Sequence, residues 1–565
     1  MLSIRKIGVV GRTYRHLARY RQILTVFFKY GFGDLVELLK IEQYIEIGLQ
    51  LISKNRRSRL EKLSRAQRVR MACEELGPTY IKFGQILSTR PDLVPVDFIK
   101  ELSKLQDNVP SRPFSEVSKI VESELGGPPE DIFDFFEKTP LASASIGQVY
   151  RATLKDGEAV AVKVQRPGIK KIIEVDLEIM LHLATLMEHH IEEMSLHQPV
   201  KIVEEFARTL EKEIDYTIEA TNMERIASNF LNDLTIYVPK VFRDTTTESI
   251  LTTELVEGIK VSDIDRLEEA GLDRKLIIVR GADIVLKQII KHGFFHADPH
   301  PGNIFVLPDN VICLLDFGMT GSVDRRTRED FIDLAESVVN RNESRATQVL
   351  LKLTYWDEDP DIRLLEKDVA DFMGRHLHKP LKDIKIGKLL NNLLELAFQH
   401  RLRISPDIFL MLKAFSTIEG VGLMLDPDFD MIKQAAPFIK EVKHARMSPH
   451  RITGDIFRLA IELFQFVENF PKDILSITRL IKQQKLSLNL EYKGLDKMLS
   501  TYDQISNRIS FSIIIAALII GSALVIMSKV PPLFYDISLI GIVGFLAAAI
   551  MGIWLLVAIL RKGRL

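Results

Sequence analysis

Three polar side chains near the middle of the chain are spaced for work on phosphate. In the run His296, Ala297, Asp298, Pro299, His300, Pro301, Gly302, Asn303, the aspartate and asparagine lie five apart (303 − 298 = 5). Asp316 follows 13 residues later (316 − 303 = 13), after the apolar stretch NVICLL, and opens the triplet Asp316, Phe317, Gly318. Magnesium prefers hard oxygen ligands, which carboxylates and side-chain amides supply. Asn303 and Asp316 are therefore expected to hold magnesium against nucleotide phosphates, leaving Asp298 to orient or deprotonate an attacking hydroxyl or water.

The same spacing occurs in the catalytic loop H-R-D-x-x-x-x-N and the D-F-G triplet of protein kinases, with Ala297 standing in for the arginine. Upstream, Ala159, Val160, Ala161, Val162, Lys163 resembles the V-A-I-K strand whose lysine holds nucleotide phosphates. A lone strand lysine is usually a solvated charge; the downstream motifs give this one a function. Where a protein kinase carries G-x-G-x-x-G-x-V, this chain has Ala142, Ser143, Ala144, Ser145, Ile146, Gly147, Gln148, Val149. Only the third glycine survives. Alanine neither takes positive φ cheaply nor admits a phosphate as closely, which predicts a different seat for the nucleotide or an altered preference between ATP and ADP. No A-P-E follows Asp316, and SVDRRTREDF runs straight into a helical pattern, leaving little room for an ordinary activation loop.

The elements that must position these residues are mixed. IGQVYRATL and EAVAVKVQ read as a β-hairpin turning at Lys155, Asp156, Gly157, with IYVPKVF and SILTTELVEG as later strands. Residues 31–125 and those from Arg325 to about 500 have helical spacing, and 126–330 reads as α+β. The expected fold is an atypical two-lobed kinase-like α+β core spanning 126–330, with its lobes meeting near 257 and 258. A basic N-terminus (1–70) and a helical extension (71–125) precede it; a helical region (331–505) and two membrane helices (509–528 and 537–560) follow.

From about Cys73 to Gly318 the chain resembles the UbiB family of atypical kinases. The family's K-x-G-Q matches Lys82, Phe83, Gly84, Gln85; its alanine-rich loop matches Ala142 to Ser145; its E-x-D matches Glu213, Ile214, Asp215. The resemblance implies that Glu219 pairs with Lys163 and Glu213 with Lys82, and that Lys82, Gly84, Gln85, Glu213 and Asp215 regulate or close the cleft. It implies nucleotide contacts from Ala142, Ser143, Ala144, Ser145, Gly147, Val149, Lys163, Glu219, Glu254 and Val256. It further implies ATPase or small-molecule kinase chemistry in support of ubiquinone biosynthesis, because the family's N-terminal extension lies across the cleft where a protein substrate would enter. ATP or ADP with magnesium would be the cofactors, and a polyprenylated quinone precursor the lipid partner. Two other readings within this frame are a nucleotide-binding scaffold without turnover and a conventional protein kinase.

Composition narrows the setting. A net charge of −1 and pI near 6.9 argue against non-specific nucleic-acid binding. Cys73 and Cys313 form neither a disulfide framework nor a zinc site, so the body is expected in a reducing compartment. Arg5, Lys6, Arg12, Arg15, Arg19, Arg21 and Lys29 precede the first acid and alternate with Ile4, Leu17, Tyr20, Leu24 and Phe27, a pattern suited to anionic lipid, to a solvated helix face, or to a transit peptide. The uncharged runs Ile509 to Ser528 and Ile537 to Leu560 can each cross a bilayer. Arg508 before them and Arg561, Lys562 and Arg564 after them put the body on the cytoplasmic side, as at a bacterial inner membrane. A rival chemistry, an iron-dependent quinone hydroxylase, would use the cluster His292, His296, Asp298 and His300.

Overall fold

The computed structural model describes residues 17–33, 63–90, 93–105, 111–191, 198–356, 359–376, 386–446, a few positions between 461 and 470, and 495–562 except 529, 535 and 536. The chain divides into two units, Met1–Ile452 and Thr453–Leu565.

In the first unit, β3 (Gly147–Leu154) and β4 (Ala159–Gln165) pair antiparallel from Gly147↔Gln165 to Thr153↔Ala159. Gly157, at φ 91°, makes the connecting turn, where a Cβ would be strained. With β1 (Phe133–Phe136) and β6 (Ile250–Glu254) they form a sheet in the order β1-β3-β4-β6, and β2 (Ala142–Ser143) adds to β3. Side chains alternate across a strand. Val160, Val162 and Val164 enter a core with Phe133, Tyr150 and the Phe114–Leu125 helix, which contributes the fully buried Val117 and Val121. Lys163 is thereby turned to the other face, toward the Tyr216–Asn229 helix. Of the stretch IYVPKVF only Ile236–Tyr237 is strand, β5, with a single bridge from Val241 to Thr253, because Pro239 has no amide hydrogen to give a ladder.

A second sheet, β5-β10-β9-β7, contains the hairpin of β9 (Ile304–Leu307) and β10 (Val311–Leu314), with β7 at Ile259–Lys260. Asn303 immediately precedes this hairpin and Asp316 follows it by two residues. β8 (Phe294–His296) pairs separately with β11 (Thr320–Ser322), and the Arg325–Val339 helix starts three residues after β11. Among the described residues up to 446, the region beyond is helical, as its periodicity predicts, apart from one short strand pair, Thr354–Tyr355 with Arg403–Ile404. The Pro406–Leu425 helix in this region is capped by Ser405 and buries Met411, Ala414, Ile418 and Val421.

One expectation is corrected here. In the Leu17–Lys29 helix, Tyr20, Ile23, Leu24, Val26 and Phe28 are buried in the body rather than turned to lipid. Arg19 donates to both carboxylate oxygens of the fully buried Asp176, at 2.7 and 2.9 Å, and to the Leu76 carbonyl. An amphipathic stripe needs an apolar partner, and protein supplies it. Arg5, Lys6, Arg12 and Arg15 lie outside the described residues.

The second unit has two long helices, Leu495–Met527 and Leu539–Lys562, packed on each other. Gly541 and Gly544 make the close approach: an added Cβ would fall 2.4 Å from Ile526 or 2.1 Å from the Ser522 hydroxyl, whereas Gly552 has open space around it. Ile513, Ile520, Leu524, Leu546, Ile550 and Trp554 point outward. Ile505–Met527 is long and apolar enough to cross a membrane; Pro406–Leu425 passes the same test by composition but is a core helix of the first unit.

Candidate active site

The site is assembled around Lys163. Its ammonium lies 2.8 and 3.0 Å from the two carboxylate oxygens of Glu219 and 3.6 Å from Asp316. Burial alone would depress its pKa, but Asp316 and Glu219 outweigh that and raise it, so the lysine is charged. Burial, only partly opposed by Lys163, raises the Glu219 pKa above the ordinary carboxylate value, and both of its oxygens accept hydrogen bonds from the ammonium. Lys163, with Lys82 and His296 adding to it, brings Asp316 down to about 2. Asp316 is 57% exposed at its side chain, so solvent softens that depression without changing its sign. Its backbone is held at φ 56°, an uncommon place for a residue with a Cβ.

Glu219 is delivered by the Tyr216–Asn229 helix, whose N-cap is Asp215: Asp215 accepts from the Thr217 amide at 2.9 Å and the Thr217 hydroxyl at 2.6 Å. Glu213, two residues earlier, lies 3.4 Å from Lys82, each 14% exposed. Lys82 comes from the Pro78–Leu87 helix. Gly84 on that helix admits Leu105, since a Cβ there would sit 2.3 Å from the leucine, and Gln85 donates to the Leu105 carbonyl at 3.1 Å. Gly84 and Gln85 thus dock the helix that carries Lys82.

The loop from His296 to Asn303 is fixed from behind. Both nitrogens of His296 are engaged: Nδ1 accepts from the Asp298 amide at 3.1 Å, so Nε2 carries the proton and donates to the Leu315 carbonyl, also at 3.1 Å. Burial lowers its pKa and keeps the ring neutral. A π-helical turn, Lys287–His292, leads in, and Gln288 from that turn accepts from the His296 amide. Asn303 donates through its side-chain nitrogen to the Asp298 carbonyl at 3.3 Å, which leaves its amide oxygen for a ligand. The Leu315 amide donates to the Asn303 carbonyl at 2.9 Å, drawing Asn303 beside Asp316. An ionised carboxylate and an amide oxygen side by side are a fitting donor set for magnesium. The iron reading loses its central ligand, since His296 has no nitrogen to spare. His292 packs on Phe230, His300 accepts from the Gly302 amide, and among the described residues no group of three His, Cys, Asp or Glu could hold a metal.

The alanine-bearing loop closes on itself. β2 pairs Ala142 with Val149 and Ser143 with Gln148, and the Ala144 amide donates to the Gly147 carbonyl at 2.8 Å. Arg166, 6% exposed, binds the Ala144 carbonyl and the Ser143 hydroxyl, both at 2.8 Å. A Cβ on Gly147 would lie 2.2 Å from the Tyr216 hydroxyl, which is why this glycine remains. The buried hydroxyls of Ser145 in the loop and Tyr216 at the start of the Tyr216–Asn229 helix have no hydrogen-bond partner among the described residues, and the Lys163 ammonium is 5.2 Å from the Tyr216 ring centre. The Glu254 carboxylate, by contrast, accepts from the Tyr237 hydroxyl at 2.6 Å and the Lys240 amide at 3.3 Å. Glu254 and the half-buried Val256 therefore have main chain rather than a free carboxylate to offer a nucleotide.

Two site residues were invisible to sequence reasoning. Arg166 follows β4 directly, and nothing in its neighbourhood marks it as the brace of a loop 22 residues earlier. Lys413, in the apolar Pro406–Leu425 helix, reaches Asp298 Oδ1 at 3.3 Å.

Comparison with known proteins identifies the family. Residues 104–350 match the ABC1 atypical kinase-like domain, 369–430 the UbiB helical domain, and 493–561 the ABC1/UbiB kinase-like C-terminal domain. The chain is 32% identical over 552 residues to "Uncharacterized protein in hydrogenase 1 5'region" of Clostridium pasteurianum, covering 97% of this chain and 99% of that one. It is 38% identical over 420 residues to "Probable protein kinase UbiB" of Cellvibrio japonicus, covering 73% and 75%. Over 413 residues it is 36% identical to "Protein ACTIVITY OF BC1 COMPLEX KINASE 7, chloroplastic" of Arabidopsis thaliana, covering 72% and 59%. With relatives aligned across most of their length and a paired Lys163 facing Asp316, the chain belongs to the ABC1/UbiB family of atypical kinases.

Proposed function

We propose that this chain is a membrane-associated atypical kinase that hydrolyses Mg-ATP in support of ubiquinone biosynthesis. The observation that carries the reading is the cluster of Lys163, Glu219 and Asp316 beside Asn303 and Asp298. Lys163, pinned by Glu219, neutralises nucleotide phosphates; Asn303 and Asp316 would hold magnesium, which supplies charge neutralisation on the phosphoryl oxygens. Asp298 orients the attacking water. Ser145 and the main chain of the closed loop take the place of a glycine-rich cradle, and Lys82, held by Glu213, guards the entrance as the family resemblance implies.

The helices Leu495–Met527 and Leu539–Lys562 form the membrane hairpin, with the body on the cytoplasmic side of a bacterial inner membrane. A polyprenylated quinone precursor is the lipid served. In support of a lipid, the first unit has an open apolar pocket of about 470 Å³ lined by Leu286, Phe331, Leu393, Phe415 and Ile439.

Magnesium-dependent ATP hydrolysis by the full chain in lipid bilayers, compared with Asp316→Asn, tests the chemistry. Loss of at least about a hundredfold is expected, in line with removing a main charge-stabilising group. Equal rates would end the ATPase reading, and nucleotide binding without any wild-type turnover would favour a scaffold. Phosphate transfer to a partner protein at the rate of ATP turnover would favour a protein kinase. Deleting residues 509–565 should abolish lipid stimulation; unchanged stimulation would remove the membrane from the proposal.

A further inference from the structure

In phosphoryl transfer, negative charge spreads over the oxygens of the moving group, and a cation supplied beside them accounts for a large part of the rate. Here the loop following Asp298 reads Pro299, His300, Pro301, Gly302, with no lysine or arginine. The short run from β11 into the Arg325–Val339 helix likewise brings no long activation segment past Asp298. The Pro406–Leu425 helix occupies that flank instead. Asp407 in its first turn accepts from the Ser322 amide of β11 at 3.3 Å. Further along, Lys413 extends its ammonium to 3.3 Å from Asp298 Oδ1 and 3.8 Å from the sulfur of Met319, the residue after the Asp316-Phe317-Gly318 triplet.

Lys413 is the one basic residue of a largely apolar helix, and its neighbours Met411, Leu412, Ala414 and Phe415 are all buried. Lys413 thus stands as a partly exposed cation on an otherwise apolar helix, with the Asp298 carboxylate as its partner. Its side chain is 31% exposed and that of Asp298 35%, so both remain within reach of a ligand.

We propose that Lys413 is a further catalytic residue, contributing the acceptor-side positive charge that the catalytic loop lacks. It holds the Asp298 carboxylate in the resting protein and turns to the phosphoryl oxygens during transfer, complementing Lys163 on the nucleotide side. In the reaction the bond between the γ-phosphorus and the β,γ-bridging oxygen breaks, and ADP departs with its electron pair. A bond from phosphorus to the water oxygen forms, and the water proton passes to Asp298. Lys413 carries charge and changes no bond. The inference rests on the ATP-hydrolysis reading above.

The test uses the full chain in lipid bilayers with Lys413→Ala and Lys413→Arg. For Lys413→Ala, kcat should fall about a hundredfold, the magnitude of losing one charge-stabilising group, with KM for Mg-ATP within about threefold of wild type. Lys413→Arg should recover to within about tenfold. Binding supplies a readout independent of turnover. ADP alone should bind Lys413→Ala as it binds wild type, whereas ADP with magnesium and aluminium fluoride, an analogue of the transferred phosphoryl, should bind at least about tenfold more weakly. A kcat within about threefold of wild type together with unchanged analogue binding overturns the proposal, as does an equal loss of ADP and analogue affinity, which would mark a structural role. If wild type does not hydrolyse ATP, the hydrolysis reading falls by that result, and the analogue comparison still decides for or against Lys413.

Discussion

Glu219→Gln isolates charge from shape at the centre of the site. Glu219 is 6% exposed and gives both carboxylate oxygens to Lys163, at 2.8 and 3.0 Å. Removing one partner of a buried pair costs about 3–5 kcal/mol when the other charge is left alone. Lys163 is not left alone: Asp316 stands 3.6 Å away, although it is 57% exposed and solvent weakens its hold. The expected cost is therefore about 2 kcal/mol, below the range for a fully orphaned charge, and it should appear as a fall of a few degrees in the melting temperature of the full chain. The second consequence concerns the metal. In wild type Lys163 divides between two carboxylates; in the variant it turns wholly to Asp316 and competes with magnesium there. The magnesium needed for half-maximal nucleotide binding should rise roughly three- to tenfold, which is about 0.7–1.4 kcal/mol. Isothermal titration across a magnesium series, with thermal melting alongside, measures both. A variant that melts with wild type and keeps its magnesium dependence would refute the view that Glu219 holds Lys163 away from Asp316.

Gly147→Ala drives a methyl to 2.2 Å from the Tyr216 hydroxyl and should lower stability by about 1–3 kcal/mol; adding Tyr216→Phe removes that clash but not the 3.1 Å approach to the Val164 carbonyl, so thermal melting should show partial rescue, and strict additivity would contradict the packing. Arg19→Ala leaves the fully buried Asp176 without its guanidinium, a local cost of about 3–5 kcal/mol, and amide exchange along Leu17–Lys29 should quicken by at least about a hundredfold; unchanged exchange would mean the helix is held by its apolar face alone. His296 binds its proton more weakly in the fold than at the ordinary 6.5, so its contribution is intact above pH 6.5 and is lost as pH falls below it, when the unfolded chain takes up the proton first. Denaturant unfolding in magnesium-free buffer should therefore show a stability decline below that pH which is smaller in His296→Asn.

Asp298, Asn303 and Asp316 could be read from the sequence because the strand hairpin joining them is short, so their spacing is itself geometry. The β3–β4 pair was equally legible, since Val160, Val162 and Val164 alternate with Lys163 and fix which face the lysine takes. Lys413 was not, because its partner lies 115 residues away (413 − 298 = 115) and a single lysine in an apolar helix carries no periodic signal. Arg166 was hidden for a related reason: it braces the loop through one carbonyl and one serine hydroxyl, 22 and 23 residues earlier, partners that no spacing pattern marks. The basic N-terminal helix misled in a different way. Its stripe of Tyr20, Leu24 and Phe27 specifies an apolar partner without saying whether that partner is lipid or protein. Glu254 came from the family resemblance, which carries no sign of the Tyr237 hydroxyl that donates to its carboxylate from another sheet.

The bond between Arg19 and Asp176 has a consequence in time. The two residues are 157 apart, so at roughly 5–20 residues per second the ribosome releases the arginine on the order of 10 s before its partner exists. A helix formed over these residues in that interval would present Ile23, Leu24, Val26 and Phe28 flanked by Arg19, Arg21 and Lys29 with its anchor not yet made, a surface that anionic bilayers attract. Such a helix would give the nascent chain an early address at the membrane, withdrawn once the body closes over it. Ribosome-bound chains arrested short of residue 176 should sediment with anionic vesicles through this helix, and should cease to do so with Ile23→Asp; equal sedimentation of the two would show that the helix waits in solution.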